Sequence, residues 1–242
     1  RLTGGSGLDT FVMRAGDGGA TVDLADTITD FQDGTDAFEL NGSLSYSALT
    51  IAQGTGSNAS STIVSRSGEV LAILQSVTAS NIDYTDFISS AAPADGTSAN
   101  NVLIGTSSAD TIIGNGGSDV LLGWGGDDTL SVGGNSGAAF STVVNGGSGT
   151  DRLNINYTGI TGLASFAPLT YTNSAINFVD SNSGTISASN IETLYVNNKE
   201  YVMYLNQGNV SDFNNLIWGT VEKTFYAIAG LSTTFTPSGG NG

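Results

Sequence analysis

Ile104-Gly-Thr-Ser-Ser-Ala-Asp-Thr-Ile112, Ile113-Gly-Asn-Gly-Gly-Ser-Asp-Val-Leu121 and Leu122-Gly-Trp-Gly-Gly-Asp-Asp-Thr-Leu130 are three consecutive copies of one nine-residue pattern. Gly105, Gly114 and Gly123 fall in register, as do Asp110, Asp119 and Asp128. Gly117 and Gly126 mark a further glycine position in the last two copies. Each Asp precedes a small or β-branched residue and then Ile or Leu. Two more copies stand apart, Gly4-Gly-Ser-Gly-Leu-Asp-Thr-Phe-Val12 and Gly146-Gly-Ser-Gly-Thr-Asp-Arg-Leu-Asn154, the latter with Gly147, Gly149 and Asp151. Fixed-period self-similarity decides architecture before any local propensity does. Here glycines permit left-handed backbone in a tight turn, Asp offers a hard oxygen ligand, and the apolar position makes a brief strand with one buried side chain.

Working outward, the 242 residues carry 22 acids against 6 bases, a formal net charge of −16. Seventeen of the acids are Asp, so the excess is not the Glu of good helix formers. The chain contains no His and no Cys. That excludes Ser-His-Asp and Cys-His catalysis, His-ligated zinc, disulfides and thiolate nucleophiles. The charge predicts repulsion from nucleic acid and anionic membrane, so no nucleic-acid partner and no membrane insertion are expected. No apolar run approaches the roughly 20 residues of a transmembrane helix. Paired carboxylates are the one catalytic possibility that residue types leave open. They fall in turn motifs with another role, and the chain reads as non-catalytic.

The five blocks resemble the calcium-binding nonapeptide GGxGxDxUx of secreted bacterial RTX proteins. That resemblance implies an all-β fold built on a parallel β-roll, in which two nonapeptides make one full turn and calcium sits between stacked turns. It also implies calcium as the cofactor, export by a type I system that reads a C-terminal signal, and an extracellular or cell-surface location. Asp26-Thr-Ile-Thr-Asp-Phe-Gln-Asp-Gly-Thr-Asp36, with the strand-like blocks that follow to Phe87, resembles the C-terminal β-roll and β-sandwich portion of serralysin-type proteins. It departs from that family at Phe38-Glu39-Leu40.

The expected organisation has four parts. Residues 1–90 are the end of a β-roll plus the serralysin-like β segment, and 91–100 are a small-residue linker. Residues 101–154 are the roll, with a looped-out insertion near 131–144, and 155–242 are an aromatic-rich β cap whose Tyr and Phe residues are mostly core. Within it, Lys199–Leu205 after Asn197-Asn198 reads as a hairpin arm and Ser211–Trp218 as a short helix. Trp124, in a glycine position, is expected to project outward as a contact point. Both ends read as cut from a longer secreted protein.

The resemblance makes Asp9, Asp110, Asp119, Asp128 and Asp151 candidate calcium ligands, with the backbone of Gly105, Gly114, Gly117, Gly123, Gly126, Gly147 and Gly149. Asp26 and Asp30 are candidates to complete a site with the first turn, whereas Asp33 and Asp36 read as solvated turn residues. An 18-residue repeat pairs Asp110 with Asp128, and the insertion then pairs Asp119 with Asp151. The expected function is that of a calcium-dependent extracellular structural protein: a surface-layer, matrix or filament subunit, or an adhesin. Expected partners are further copies of the chain in an array, or a polysaccharide or cell surface. The alternative is a non-catalytic export and folding module of a secreted enzyme or toxin.

Overall fold

The computed structural model describes residues 1–93, 95–134, 139–166, 169–172, 174–204, 216–219 and 224–227. It divides into two compact units, Arg1–Pro93 with Ile104–Thr106, and Ala94–Leu103 with Ser107–Gly242. Among the described residues every helical turn is a three-residue 3-10 turn and all other regular structure is strand.

The first unit holds β1 (Thr10–Arg14), β2 (Asp26–Ile28), β3 (Ala37–Asn41), β4 (Thr50–Gln53), β5 (Thr62–Arg66), β6 (Glu69–Leu74) and β7 (Phe87–Ser89). One sheet has the order β1-β3-β7, all parallel. The other has the order β2-β6-β5-β4, with β6-β5-β4 an antiparallel meander. Alternation along β1 buries Phe11 and Met13 and leaves their neighbours exposed, as one covered face requires. Phe31 stacks on Phe38 with ring centroids 4.5 Å apart, and Phe38 meets Phe87 at 5.3 Å.

The second unit is a roll of two sheets. Its strands are β8 (Val102–Ile104), β9 (Thr111–Ile113), β10 (Val120–Leu122), β11 (Thr129–Gly133), β12 (Ser141–Asn145), β13 (Arg152–Asn156), β14 (Thr170–Thr172), β15 (Ala175–Val179), β16 (Thr185–Ser189), β17 (Thr193–Val196), β18 (Lys199–Tyr204), β19 (Leu216–Gly219) and β20 (Thr224–Ala227). Successive strands from β8 to β13 alternate between the sheets, whose orders are β14-β15-β16-β12-β10-β8 and β20-β19-β18-β17-β13-β11-β9. Parallel pairing runs β9-β11-β13-β17 in one sheet and β10-β12-β16 in the other. Inward residues Leu121, Leu130, Val144, Leu153 and Leu194 are fully buried between them in one core cluster. The all-β parallel roll is thus observed. Antiparallel strands then extend both sheets, so much of 155–204 continues the roll. Phe166, Phe178 and Tyr201 are core residues, as expected.

Three expectations need correction. Residues 131–144 do not loop out whole. Val132 lies buried in β11, and β12 buries Thr142 and Val144, which a free loop would leave in water. Residues 96–100 of the expected 91–100 linker are part of the roll: Gly96 donates its N–H to Ile113 O at 2.7 Å, and Asn100 Oδ1 accepts from Ser118 N at 2.8 Å. Leu216–Gly219 is a strand paired with β18, not a helix end; Ser211–Asn215 lie outside the described residues. The Asn197-Asn198 hairpin is present, joining β17 to β18, while Leu205 lies outside the described residues.

Candidate metal centre

Where the chain passes from the six-stranded to the seven-stranded sheet, acidic residues stack rung over rung. Asp110 N donates to Asp128 Oδ1 at 2.8 Å across 18 residues. Asp128 N donates to Asp151 Oδ1 at 2.8 Å across 23 residues. Asp151 N donates to Glu192 Oε2 at 2.7 Å across 41 residues. On the opposite edge Asn101 N donates to Asp119 Oδ1 at 2.9 Å, and Asp119 N to Thr142 Oγ1 at 3.2 Å. Asp110 and Asp128 therefore share an edge, as the period requires. Asp151 joins that edge and not Asp119, whose rung is completed by Thr142. The physical reason is the length of the turn between β11 and β12. The separation is 23 rather than 18 residues, so the surplus is five residues, and it adds no half-turn to the roll.

Asp119, Asp128 and Asp151 are only 2%, 1% and 1% exposed. Each carboxylate folds back on the first glycine of its own turn, since a Cβ added at Gly114, Gly123 or Gly146 would meet it. Asp128 Oδ2 and Asp151 Oδ2 are buried without any hydrogen-bond partner, and so is Asp9 Oδ2 in the first unit. An uncompensated buried carboxylate costs several kcal/mol in principle. Burial pushes the Asp128 carboxyl up to about 6, against the pull of the Asp110 N–H, and Asp151, Asp110 and Asp127 add to the rise. Burial likewise raises Asp119 and Asp151.

Buried Asp180 shows what a purely structural acid looks like here. Its Oδ1 accepts from Asn182 N and Gly184 N, both at 2.8 Å, and its Oδ2 accepts from the Tyr157 hydroxyl at 3.0 Å. Both oxygens are satisfied. Asp128, Asp151 and, in the first unit, Asp9 differ by each having one buried oxygen without a partner. That fits a hard cation, which takes anionic and carbonyl oxygens. Among the described residues no three acidic side chains gather closely enough to hold a cation alone. Backbone carbonyls must therefore supply most ligands. One is in place at Gly123, where the added Cβ would meet both Asp128 Oδ2 and Gly146 O.

The glycine candidates sit in these turns. Gly114 N donates to Ser131 O, Gly123 N to Asn145 O and Gly126 N to Ser148 O. Gly117, Gly126, Gly147 and Gly149 all have positive φ. Asn115 (φ 64°) and Trp124 (φ 75°) adopt the left-handed region at the second glycine position. Trp124 is half-buried rather than fully outward. Gly105 O, in the first unit, accepts from Ser89 N.

The first unit repeats the device. Asp9 N donates to Asp36 Oδ1 at 3.1 Å, and Asp36 Oδ2 accepts from Gln32 N at 2.9 Å. Asp36 is 4% exposed, so it is a rung residue and not a solvated one. Asp30 accepts from Gly4 N and Gly5 N at 3.0 and 2.9 Å and so joins the first turn. Asp26 lies exposed in β2, 3.6 Å from the amino group of Arg1, and is not brought to that turn by a hydrogen bond. Sequence reading missed Asn101, Asp36, Thr142 and Glu192. Only Asn101 carried a signal, standing nine residues before Asp110.

Residues 95–130 match the RTX calcium-binding nonapeptide repeat in four copies. At nine residues each, the first copy is 95–103, with Asn101 in the acidic position. The match does not extend to the serralysin-like stretch. No curated protein matches the chain. The nonapeptide is a calcium-binding motif and typically non-catalytic, and the orphaned carboxylate oxygens fit that ion.

Proposed function

With calcium-binding RTX repeats as the premise, we propose that the chain serves in an extracellular structural protein, of the surface-layer, matrix or filament kind, or an adhesin. Proteins with these repeats are generally secreted by bacteria, and we assign export to a type I system. Calcium switches the fold on outside the cell. Extracellular modules commonly bind at roughly 10⁻⁴–10⁻³ M, so the ligand turns stay empty in a calcium-poor cytosol.

The observation that supports the reading is the repetition of one turn contact in both units. Asp9 over Asp36 in the first, and Asp110 over Asp128 over Asp151 in the second, use the same N–H-to-carboxylate contact. Tandem calcium-rigidified modules suit a load-bearing or array-forming chain. The partner is a further copy, through exposed sheet edges, or a polysaccharide surface.

Light scattering and electron microscopy of the full chain test this in millimolar calcium and in EGTA. Calcium-dependent, concentration-dependent assemblies are expected. A strict monomer over a wide concentration range, still folding with calcium, would instead support the export and folding module of a secreted enzyme or toxin.

A further inference from the structure

The cradle between Asp128 and the following turn has a second copy beyond the repeats. A Cβ added at Gly123 would meet Asp128 Oδ2 and Gly146 O. One rung later, a Cβ added at Gly146 would meet Asp151 Oδ2 and Asn190 O. Asp151 is 1% exposed and its Oδ2 has no partner. Asn190 O thus takes the place that Gly146 O holds one rung earlier, although Asn190-Ile-Glu192 resembles no nonapeptide.

The local structure explains how three residues do the work of six. Asn190 adopts φ 50°, in the region glycine holds in the repeats, and Asn tolerates it better than most residues. Its Nδ2 donates to Asn145 Oδ1 at 2.8 Å, tying the turn to the rung below. Gly146 N donates to Ser189 O at 3.1 Å, as Gly123 N donates to Asn145 O at 2.8 Å. Glu192 is one methylene longer than Asp and reaches back to Asp151 N from this shorter turn. Glu192 N and Thr193 N both donate to Asp151 O.

We infer that Asp151 Oδ2 and Asn190 O form a calcium site outside the repeat array, between the last nonapeptide turn and the Asn190–Glu192 turn, with Glu192 as its positioning residue. It rests on the calcium reading of the repeats. Its ligands, Asp151 and Asn190, are 39 residues apart in the chain, with most of the aromatic core sequence between them, so the ion fastens that core to the roll. A divalent cation of calcium's size is the ligand class, since the donors are a carboxylate and a carbonyl.

Calcium titration calorimetry and hydrogen exchange on the full chain test it, with calcium itself as the probe. Asp151→Asn should bind fewer ions than the unsubstituted chain. Glu192→Gln should weaken one site by roughly 10–100-fold, as loss of a ligand-orienting partner does. In the unsubstituted chain calcium should slow exchange at the Glu192 and Thr193 amides, and Asp119→Asn should not abolish that effect. Calcium that protects 96–130 yet leaves 186–196 unchanged, or a Glu192→Gln chain with every site intact, would overturn the site alone. A chain that binds no calcium at all would overturn the reading of the repeats with it.

Discussion

Asp128 donates its backbone N–H to Oδ1 of Asp151, while Oδ2 of Asp151 is buried with nothing to accept from. In Asp128 and Asp151 alike, one oxygen accepts from the N–H of the preceding rung and the other has no partner, which suits a cation. This division of labour makes opposite demands on the charge with and without metal.

Asp128→Asn should therefore change sign with calcium. The amide keeps an oxygen for the Asp110 N–H and removes an uncompensated buried charge. Without calcium the variant should keep more β-signal than the unsubstituted chain, and in saturating calcium its melting temperature should fall below that chain's. Circular dichroism in EGTA and calorimetry in calcium check this, and a loss in both would contradict it.

Removing calcium should unfold much of the chain. Circular dichroism in excess EGTA should show a large loss of β-signal, restored by calcium but not by an equal concentration of magnesium, which demands tighter octahedral geometry.

Acid should rescue the metal-free chain. The Asp128 carboxyl is raised from 3.8 to about 6, so the folded state holds its proton more tightly than the unfolded one. That stabilisation is present in full below about pH 4 and is lost as pH rises through 6. Roughly two pH units correspond to about 3 kcal/mol, with the raised Asp119 and Asp151 adding in the same direction. Circular dichroism of calcium-stripped protein should show more β-signal at pH 4.5 than at pH 7.5. In calcium the order should reverse, because protons compete for the same oxygens.

Gly149→Ala should be severe. Gly149 has φ 140°, and a Cβ there would strike Gly126 O on the neighbouring rung, a backbone atom that cannot swing away. A loss above about 2 kcal/mol in urea melts with calcium is expected. Gly159→Ala has φ 96° but open space around it, so only the backbone strain of about 1 kcal/mol should appear.

The roll was legible because its glycines and aspartates are demanded by geometry. A turn this tight needs backbone that few residues adopt, and the nine-residue spacing exposed it. The register beyond Leu130 was not legible. Counting 18 residues from Asp119 lands on Gly137, and nothing in the string marks where β12 resumes. Thr142 could not be found either, because a hydroxyl serves the Asp119 N–H as well as a carboxylate does. Asp36 and Glu192 were hidden for a related reason. The contact needs one oxygen at one place, and turns of different length deliver it from different residue types. Asp26 misled because it shares the chemistry of Asp30 four residues on, while only Asp30 is placed over Gly4 and Gly5.

The stack from Asp110 to Glu192 is reciprocal: each aspartate N–H reaches a carboxylate on the rung that comes later in the chain, and the later rung donates back, Thr129 N to Asp110 O, Arg152 N to Asp128 O and Thr193 N to Asp151 O. Viewed as a one-dimensional lattice with nearest-neighbour coupling, its ends differ from its interior. Glu192 accepts from Asp151 and closes the stack at a turn that is no nonapeptide, whereas Asp128 and Asp151 are each held by a rung on both sides. An interior rung therefore gains from two ordered neighbours and an end rung from one, so fraying should begin at the ends of the stack and cooperativity should grow with the number of rungs.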